Sequence, residues 1–501
     1  SGERVNSRRA GVLLHPTSLP GPEPCGTLGP QALDWLDWLG STGCTLWQIL
    51  PLNPTAPNLS PYDSPGGLAL DPHLLSIESV IADGLLDPGQ LAGAPPSTAR
   101  VDPRALNAWH RPRAIQAARS LVHDDPDALT RFRQDQPWLD PWSLYQTLTH
   151  IHGRNWRRWP VDLARGVPDA LDATHREFAE EIAIEQAIQL LVHRQWTRVL
   201  SRARTRGITV LGDLPIYVGR DSADTWSRPE LFQRNQGGEF DPVSGVPPDL
   251  FSEDGQFWGS PVPDWNAHAL DDFRWWRERI RLALARHDAV RLDHFRGFCA
   301  YWAVDLARAP SARIGRWLPG PGRALFEALR EDRESLPLVV EDLGHLTPDV
   351  PLLRSQLGLP GMKVLQFAFG GDEDHPFLPH TWTRDDWVVY PGTHDNSTAR
   401  GWFESAPPEV REHFVRYVAN QETSNCSLDP EAEPHWALIE LALASRARWA
   451  VLPMQDLLGL GDEARFNTPG TPTENWEWRL RDMPCGLDRL GERIQAHARQ
   501  P

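Results

Sequence analysis

Acidic residues in this sequence recur at one kind of position, directly at the end of a short apolar run. Asp213 ends the run ITVLGD, Asp293 ends AVRLD and Glu341 ends PLVVE. A further acid, Asp395, follows the run WVVY within the segment THDN. A single acid at such a place is compatible with a helix cap. Several acids at equivalent positions instead predict a shared site whose chemistry is that of carboxyl groups.

Paired carboxyl groups suit the cleavage of glycosidic bonds, because one attacks the anomeric carbon while the other protonates the leaving oxygen. Arg291 stands two residues before Asp293 and shares its face of an extended strand. A cation there keeps Asp293 ionised and able to act as a nucleophile. A divalent metal held by the same acids is the alternative, but the sequence lacks a spaced ligand loop. We therefore expect neither a metal nor a cofactor.

Eight short apolar runs are available to position these acids. They lack polar alternation, which is typical of parallel strands buried on both faces. The runs cover residues 11–14, 45–50, 208–213, 289–293, 337–341, 363–369, 387–390 and 449–454. Amphipathic stretches between several of them, the longest over 175–206, predict helices. The pattern indicates an α/β protein, a (β/α)₈ TIM barrel whose active site lies at the C-terminal strand ends.

The spacing of the runs is uneven, which indicates insertions into a single barrel. We interpret residues 1–501 as one catalytic (β/α)₈ barrel. A helix-rich inserted subdomain is predicted over about 75–200, and an active-site loop insertion rich in Gly, Pro and aromatic residues over about 226–265. Long connections of this kind in compact domains are usually functional.

Composition excludes several classes of function. The net charge of -17 over 501 residues offers no basic face for nucleic acid. The five cysteines are scattered without a CxxC pair, which argues against a disulfide framework or a zinc knuckle. The apolar run near the N-terminus is too short for a signal peptide, and no stretch reaches the roughly 18 apolar residues of a membrane span. We expect a cytoplasmic protein, and Ser1 and Gly2 in place of an initiator Met indicate a processed end.

Longer segments around the acids resemble the amylomaltases, 4-α-glucanotransferases or disproportionating enzymes that are related to the α-amylases. The matching segments include LLHPTSLPGP (13–22), LWQILPLNPT (46–55), GDLPIYVGRDSADTW (212–226), GVPPDLFSEDGQFWG (245–259), RLDHFRGF (291–298), YPGTHDNST (390–398), LPMQDLLGLGDEARFNTPG (452–470) and NWEWR (475–479). The resemblance implies that Asp293 is the nucleophile, Glu341 the general acid/base and Asp395 a third carboxylate that grips sugar hydroxyls.

The resemblance also implies the reaction and the binding residues. A retaining double displacement would transfer α-1,4-glucan segments to the 4-OH of an acceptor glucan or glucose, with the two catalytic carboxyls about 5–5.5 Å apart. Expected partners are α-1,4-glucan and maltooligosaccharide donors and acceptors and glucose, without nucleic acid or membrane. The candidate substrate-binding residues are Tyr62, Asp213, Asp249, Phe251, Gln256, Phe257, Trp258, Arg291, His394, Asn396 and Asn467.

Some positions depart from the family pattern. Ser260 stands where the family usually has Asn, and Pro263 stands where an aromatic residue is expected. Ser397 replaces a common acid, and residues 65–67 replace a more aromatic stretch. We expect these changes to affect chain-length preference and not the reaction.

Three other functions stay open at this point. A hydrolase of α-1,4-glucans would use the same carboxyl groups with water as the acceptor. A Schiff-base lyase would use Lys363, the only lysine of the chain, on the sixth predicted strand. A glucan-binding protein without catalysis is the third. Products formed from maltotriose separate transfer from hydrolysis, and borohydride trapping tests the lysine.

Overall fold

The computed structural model describes residues 7–95, 98–248, 254–306, 311–333, 335–344, 346–421, 428–486 and 488–499. Its strands are β1 (Arg9–Leu13), β2 (Leu46–Gln48), β3 (Thr209–Leu214), β4 (Val243–Val246), β5 (Gln256–Pro261), β6 (Ala289–Leu292), β7 (Ala300–Val304), β8 (Arg316–Pro319), β9 (Leu338–Val340), β10 (Gly361–Val364), β11 (Trp387–Tyr390) and β12 (Trp449–Pro453).

The α-helices lie between these strands for the most part. They span Pro30–Ser41, Ile77–Ala82, Pro103–Ala105, Arg111–Asp124, Pro126–Asp135, Leu139–His152, Val161–Ala164, Pro168–Glu177, Ala179–Thr205, Ala223–Ser227, Trp265–Leu270, Arg274–Arg286, Arg296–Cys299, Arg323–Asp332, Asp349–Leu357, Ala399–Ser405, Pro408–Ala419, Pro434–Ala444, Met454–Leu457 and Asp488–Ala496.

An eight-stranded parallel sheet forms the barrel. Its strand order is β10-β11-β12-β1-β2-β3-β6-β9. The two outer strands also meet, because the Val340 amide in β9 donates to the carbonyl of Pro360, which precedes β10, at 2.9 Å. The predicted (β/α)₈ barrel is thereby confirmed, and each of its strands falls within or beside a predicted apolar run. One run was predicted too long: β10 ends at Val364, and a 3₁₀ helix over Leu365–Phe367 follows.

Burial on both faces explains why these runs are apolar throughout. Every residue of β1, β3, β6 and β12 is buried, since the barrel interior covers one face and helices cover the other. Close packing also requires a glycine in β1. A Cβ on Gly11 would lie 2.0 Å from the Leu46 carbonyl oxygen, so a side chain there would separate β1 from β2.

A second, antiparallel sheet has the strand order β5-β4-β7-β8. Its first two strands lie within the segment predicted as an active-site loop insertion. In this sheet β4 pairs with β7, for example Ser244 with Ala303. The predicted loop insertion is therefore hydrogen-bonded to the part of the chain that follows β6. The sequence did not reveal these strands, because strands from separate segments stabilise one another only after the chain has folded.

The helices between β2 and β3 surround one long helix, Ala179–Thr205. This helix also packs on the barrel wall: the Arg202 Nε donates to Asp37 Oδ1 in helix Pro30–Ser41 at 2.9 Å. On its other side, the Trp196 indole donates to the carbonyl of Arg286 at 2.9 Å. The tryptophans here are packing residues: Trp35 is fully buried and stacks on Trp38 with ring centroids 4.9 Å apart.

Candidate active site

Arg291 connects two of the predicted carboxylates. Its position in β6 pairs with Asp213 in β3, which brings both side chains to the same end of the barrel. Its Nη1 donates to Asp213 Oδ2 at 2.6 Å, and its Nη2 donates to Asp293 Oδ1 at 2.8 Å. Although burial lowers it, the charges of Asp213 and Asp293 raise the pKa of Arg291 well above its usual value. The guanidinium is therefore a permanent cation beside Asp293, as the sequence predicted.

Asp213 is the more deeply buried of these two acids. Its Oδ2 also accepts from the Tyr62 hydroxyl at 2.7 Å. Burial, together with the charge of Asp293, raises the pKa of Asp213 to about 7, although Arg291 and Tyr62 oppose the shift. The Asp293 side chain is 24% exposed, so the open carboxylate of the pair is the one predicted to attack.

Glu341 has a different environment. It follows β9, which lies beside β6, and two backbone amides hold its carboxyl group. His294 N donates to Oε2 at 3.0 Å, and Leu343 N donates to Oε1 at 2.9 Å. Burial and the nearby charge of Asp293 raise its pKa to about 8, against the influence of Arg291 and the Leu343 amide. Near neutral pH Glu341 therefore carries a proton beside an acid that is paired with a cation.

Asp395 lies on the loop after β11, and its side chain is 42% exposed. The Asn467 Nδ2 donates to its Oδ1 at 2.6 Å. On the other side of the carboxylate, His394 Nε2 is 3.4 Å from Oδ2. The structure thus brings three of the residues predicted for the site into direct contact.

Tyr62 and His394 form a stacked pair next to these acids. Their rings are nearly parallel, with centroids 5.5 Å apart, and the Tyr62 oxygen is 2.9 Å from His394 Nε2. Because the Tyr62 hydroxyl donates to Asp213, its oxygen accepts from the Nε2–H of His394. Burial lowers the pKa of His394, although Asp395 opposes this, so the imidazole is neutral at pH 7. Trp476 packs against both rings, with centroids 5.6 and 6.0 Å away.

Trp258 and Gln256 lie on one face of β5, and Phe257 lies on the other because side chains alternate along a strand. The Trp258 indole donates to Gln256 Oε1 at 3.2 Å, and its ring meets the His294 ring edge to face at 4.9 Å. His294 follows Asp293 directly, so this face of β5 adjoins the carboxyl cluster. Trp258 is 39% exposed, which leaves a flat ring open to a ligand. Phe257 is exposed on the opposite face of β5, and its contact with substrate stays a prediction.

The remaining predicted residues divide into two groups. Asn396 uses its Oδ1 to accept from the Thr393 amide at 2.9 Å and the Thr393 hydroxyl at 2.8 Å. Its carbonyl therefore closes a turn, and contact with a sugar hydroxyl stays a prediction. Asp249 and Phe251 lie outside the described residues.

Two pockets adjoin the site. One of about 440 Å³ is lined in part by His394, and one of about 370 Å³ is lined in part by Trp476.

The departures from the family pattern take part in the scaffold. The Ser397 hydroxyl accepts from Arg465 at 3.1 Å, and Ser260 N donates to the Ser244 hydroxyl at 3.1 Å. The Pro263 carbonyl accepts from Gln233 Nε2 at 3.3 Å.

Sequence reasoning missed three residues of the site: His294, Arg465 and Trp476. His294 adopts a left-handed backbone with φ 48°, and this conformation accompanies its amide contact with Glu341. All three lie inside segments that carried the family resemblance, and that was the only available signal. Their roles depend on contacts with residues distant in the chain, which the sequence does not contain.

The barrel gathers carboxyl groups at its C-terminal strand ends, two of them with raised pKa, next to the exposed ring of Trp258. This combination defines an enzyme acting on glycosidic bonds. The family model described as 4-alpha-glucanotransferase matches residues 14–484. The chain is 42% identical to the 4-alpha-glucanotransferase of Thermus thermophilus over 98% of each protein. It is also 42% identical to the chloroplastic/amyloplastic 4-alpha-glucanotransferase of Arabidopsis thaliana, covering 98% of this chain and 86% of that protein. The chain therefore belongs to the 4-alpha-glucanotransferase family, and it is an enzyme of that type.

Solved structures agree with this assignment. An amylomaltase from Streptococcus agalactiae in complex with acarbose superposes with a TM-score of 0.92 and 31% identity, covering 98% of this chain and 99% of that one. An amylomaltase from Corynebacterium glutamicum has a TM-score of 0.76 at 17% identity, covering 100% and 76%, and shares the fold. Within the described part of the chain, no helix has the length and apolarity to span a membrane.

The comparisons support glucan transfer over the Schiff-base hypothesis for Lys363. The Lys363 ammonium donates to the Pro376 carbonyl at 2.9 Å and lies 4.2 Å from the Trp387 ring and 4.7 Å from the Phe377 ring. These contacts lie outside the carboxyl cluster. The lysine therefore joins β10 to the neighbouring strand and loop, which is a structural role.

Proposed function

We propose that the protein cleaves an α-1,4-glucan donor and transfers the released segment to the 4-OH of an acceptor glucan or glucose by a retaining double displacement. The observation that carries this proposal is a pair of carboxyl groups in different surroundings, Asp293 directly after β6 and Glu341 directly after the neighbouring strand β9. Asp293 accepts a hydrogen bond from the cationic guanidinium of Arg291, whereas the raised pKa of Glu341 keeps that residue protonated near neutral pH. One group is suited to attack and the other to donate a proton.

In the first step, Asp293 attacks the anomeric carbon of the donor. The bond to the departing glycosidic oxygen breaks, and Glu341 gives its proton to that oxygen. A covalent glycosyl–Asp293 ester remains. Arg291 contacts Oδ1 of Asp293, so Oδ2 is the oxygen free of that contact. We expect a separation of about 5–5.5 Å between the two carboxyl groups, as retaining enzymes require.

In the second step, the ionised Glu341 takes the proton of the acceptor 4-OH. The acceptor oxygen attacks the anomeric carbon, and the Asp293 carboxylate leaves. Glu341 is then protonated again, and two inversions leave the α configuration unchanged. Loss of the negative charge of Asp293 in the ester favours ionisation of Glu341 between the steps, because a like charge has been removed.

The other site residues bind and orient the sugar in this proposal. Asp395 grips ring hydroxyls and stabilises the transition state, while Trp258 supplies a flat surface for a sugar ring. Further proposed substrate-binding residues are Tyr62, Asp213, Asp249, Phe251, Gln256, Phe257, Arg291, His394, Asn396 and Asn467.

Incubation with maltotriose tests the reaction. Transfer yields a ladder of shorter and longer maltooligosaccharides, whereas hydrolysis yields glucose and maltose alone. We expect the ladder, and we expect Asp293→Asn and Glu341→Gln to lower its rate of formation by at least about 1,000-fold, since each removes a group from the bond-breaking step. Ladder formation at the wild-type rate by Asp293→Asn would contradict the assignment. Glucose and maltose as sole products would instead indicate the hydrolase.

We also propose a single catalytic barrel over residues 1–501, with inserted segments at about 75–200 and 226–265, working in the cytoplasm. Support for a reducing compartment comes from Cys25, Cys44, Cys299 and Cys485, which are free thiols. Fractionation of the source cells tests the location, and recovery of the protein outside the cytoplasm would contradict it.

A further inference from the structure

Two segments at the C-terminal end of the barrel are fastened side by side. Residues 393–399 follow β11 and carry His394 and Asp395; we call them the catalytic loop. Residues 456–467 follow β12, and we call them the strap. Backbone groups along the whole catalytic loop are hydrogen-bonded to the strap. The Ala399 amide donates to Asp456 Oδ1 at 2.7 Å, and the Thr398 amide donates to Asp462 Oδ1 at 2.9 Å. At the other end of the loop, the Asn467 amide of the strap donates to the His394 carbonyl at 3.0 Å.

Arg465 of the strap lies between these contacts and donates through three nitrogens, two to the catalytic loop and one to the strap itself. Its Nη2 donates to the Asp395 carbonyl at 2.7 Å, and its Nε donates to the Asn467 carbonyl at 2.9 Å. Its Nη1 donates to the Ser397 hydroxyl at 3.1 Å. A planar guanidinium with fixed N–H directions therefore sets the positions of these acceptors relative to one another.

The position of Asp395 depends on two of these acceptors. One is the carbonyl of Asp395 itself. The other belongs to Asn467, whose side-chain amide holds the Asp395 carboxylate at 2.6 Å. Because this carboxylate is 42% exposed, its direction is set by the few contacts on its buried side.

We propose that Arg465 is a positioning residue for the transfer reaction: it holds the Asp395 main chain and the Asn467 amide in register, so that the Asp395 carboxylate meets the sugar in the transition state. The inference rests on the proposed role of Asp395. Arg465 acts through Asp395 and Asn467, and it takes no part in bond breaking. A lysine cannot replace it, since one ammonium group does not supply the in-plane fork of donors that reaches these three acceptors.

The variants Arg465→Ala and Arg465→Lys test this role by disproportionation of maltotriose. We expect kcat to fall about 10- to 100-fold in both, because a displacement of about 1 Å costs roughly 100-fold in rate. The KM for maltotriose should change less than about threefold, since contacts that strengthen in the transition state act mainly on kcat. Guanidinium chloride at millimolar concentration should restore part of the kcat of Arg465→Ala, whereas equal sodium chloride should not.

Arg400 provides the matched control. It also bridges to the strap, with Nη1 donating to the Gly459 carbonyl at 3.1 Å and Nε to Glu404 at 3.2 Å, but it does not contact the catalytic loop's acid. Arg400→Ala should keep kcat within about twofold of the wild type and show no response to guanidinium.

The outcomes are distinguishable. A wild-type kcat in Arg465→Lys would overturn the inference. It would also be overturned if the variants lost activity only in proportion to their loss of folded protein, as measured by near-UV circular dichroism. If Arg465→Ala does not fold, a low kcat in folded Arg465→Lys with unchanged KM still supports it. An inactive wild type would overturn the proposed function itself.

Discussion

At the scale of single residues, the proposed mechanism gives opposite roles to two carboxyl groups of similar intrinsic acidity. Arg291 donates to Asp293, whereas Glu341 has backbone amides and an acidic neighbour. Burial favours the neutral form of a carboxyl group, and an adjacent negative charge does so further. The proposed roles of Asp293 as nucleophile and Glu341 as proton donor therefore follow from the charges and the burial around each carboxyl group.

The pH dependence of the reaction follows from the raised pKa of Glu341, about 8. The proposed first step needs protonated Glu341, so we expect activity to be present below that pKa and to be lost as the pH rises through it. We expect an alkaline limb in kcat/KM near pH 8, since this parameter reports the free enzyme. Measurement from pH 5 to 10 at constant ionic strength checks it. A flat profile up to pH 10 would show that Glu341 is not the acid.

Asp293 itself contributes to that shift, which gives a second test. Removal of its charge in Asp293→Asn should lower the pKa of Glu341, because a like charge no longer disfavours ionisation. The carboxyl bands in difference infrared spectra, recorded through a pH titration, measure this. Asp332→Asn, which removes a carboxylate from an exposed ion pair with Arg277, is the control and should leave the titration unchanged.

At the scale of elements, the barrel wall depends on backbones that approach closely. In β1, Gly11 leaves no room for a Cβ, since the Leu46 carbonyl oxygen of β2 would be 2.0 Å from it. Tight approach of this kind keeps the strand ends that carry the site in register. The antiparallel sheet β5-β4-β7-β8 also positions a residue of the site, because β5 places Trp258 beside His294.

Gly11→Ala should therefore destabilise the protein. Overpacking typically costs about 1–3 kcal/mol of the free energy of unfolding, and contact with backbone leaves little room for relaxation. Gly89→Ala is the matched control, since a Cβ at Gly89 would have no heavy atom within 4 Å. Thermal denaturation followed by circular dichroism measures both. Equal melting temperatures for Gly11→Ala and the wild type would contradict this view of the β1–β2 contact.

At the scale of the whole molecule, the C-terminal segment is fastened to the start of the barrel. The buried Arg499 guanidinium donates to several backbone carbonyls, including Arg9 in β1 at 3.2 Å, Leu443 at 2.7 Å and Ala447 at 2.9 Å. Leu443 lies near the C-terminal end of helix Pro434–Ala444, where a cation is favourable. One side chain thus joins the first strand, a late helix and the approach to β12.

Arg499→Met should leave these carbonyls without their donor. An unsatisfied buried polar group costs about 1–3 kcal/mol, so the free energy of unfolding should fall by several kcal/mol. The kcat of the folded enzyme should not change, because the site lies at the other end of β1 and β12. Arg323→Met, which breaks an exposed pair with Glu327, should cost less than about 0.5 kcal/mol. Urea denaturation and maltotriose assays measure both variants, and equal stabilities would refute the role of Arg499.

The sequence by itself determined the barrel and the identity of its acids. A strand buried on both faces must be apolar along its whole length, so the runs that end at Asp213, Asp293 and Glu341 were visible without coordinates. Asp395 was found in the same way, from its place after the run WVVY, and the family segments added the proposed roles of the acids and most of the proposed binding residues. These features are local in the chain, which is why local patterns predicted them.

Only the tertiary structure decided the pKa values of the acids and the hydrogen bonds that position them. The pKa of Glu341 depends on burial and on a neighbour from another strand, and the position of Asp395 depends on Arg465 and Asn467 from beyond β12. The sheet that carries Trp258 likewise forms between distant segments. Desolvation and hydrogen bonds between residues far apart in the chain arise only when the chain has folded, so no local pattern encodes them.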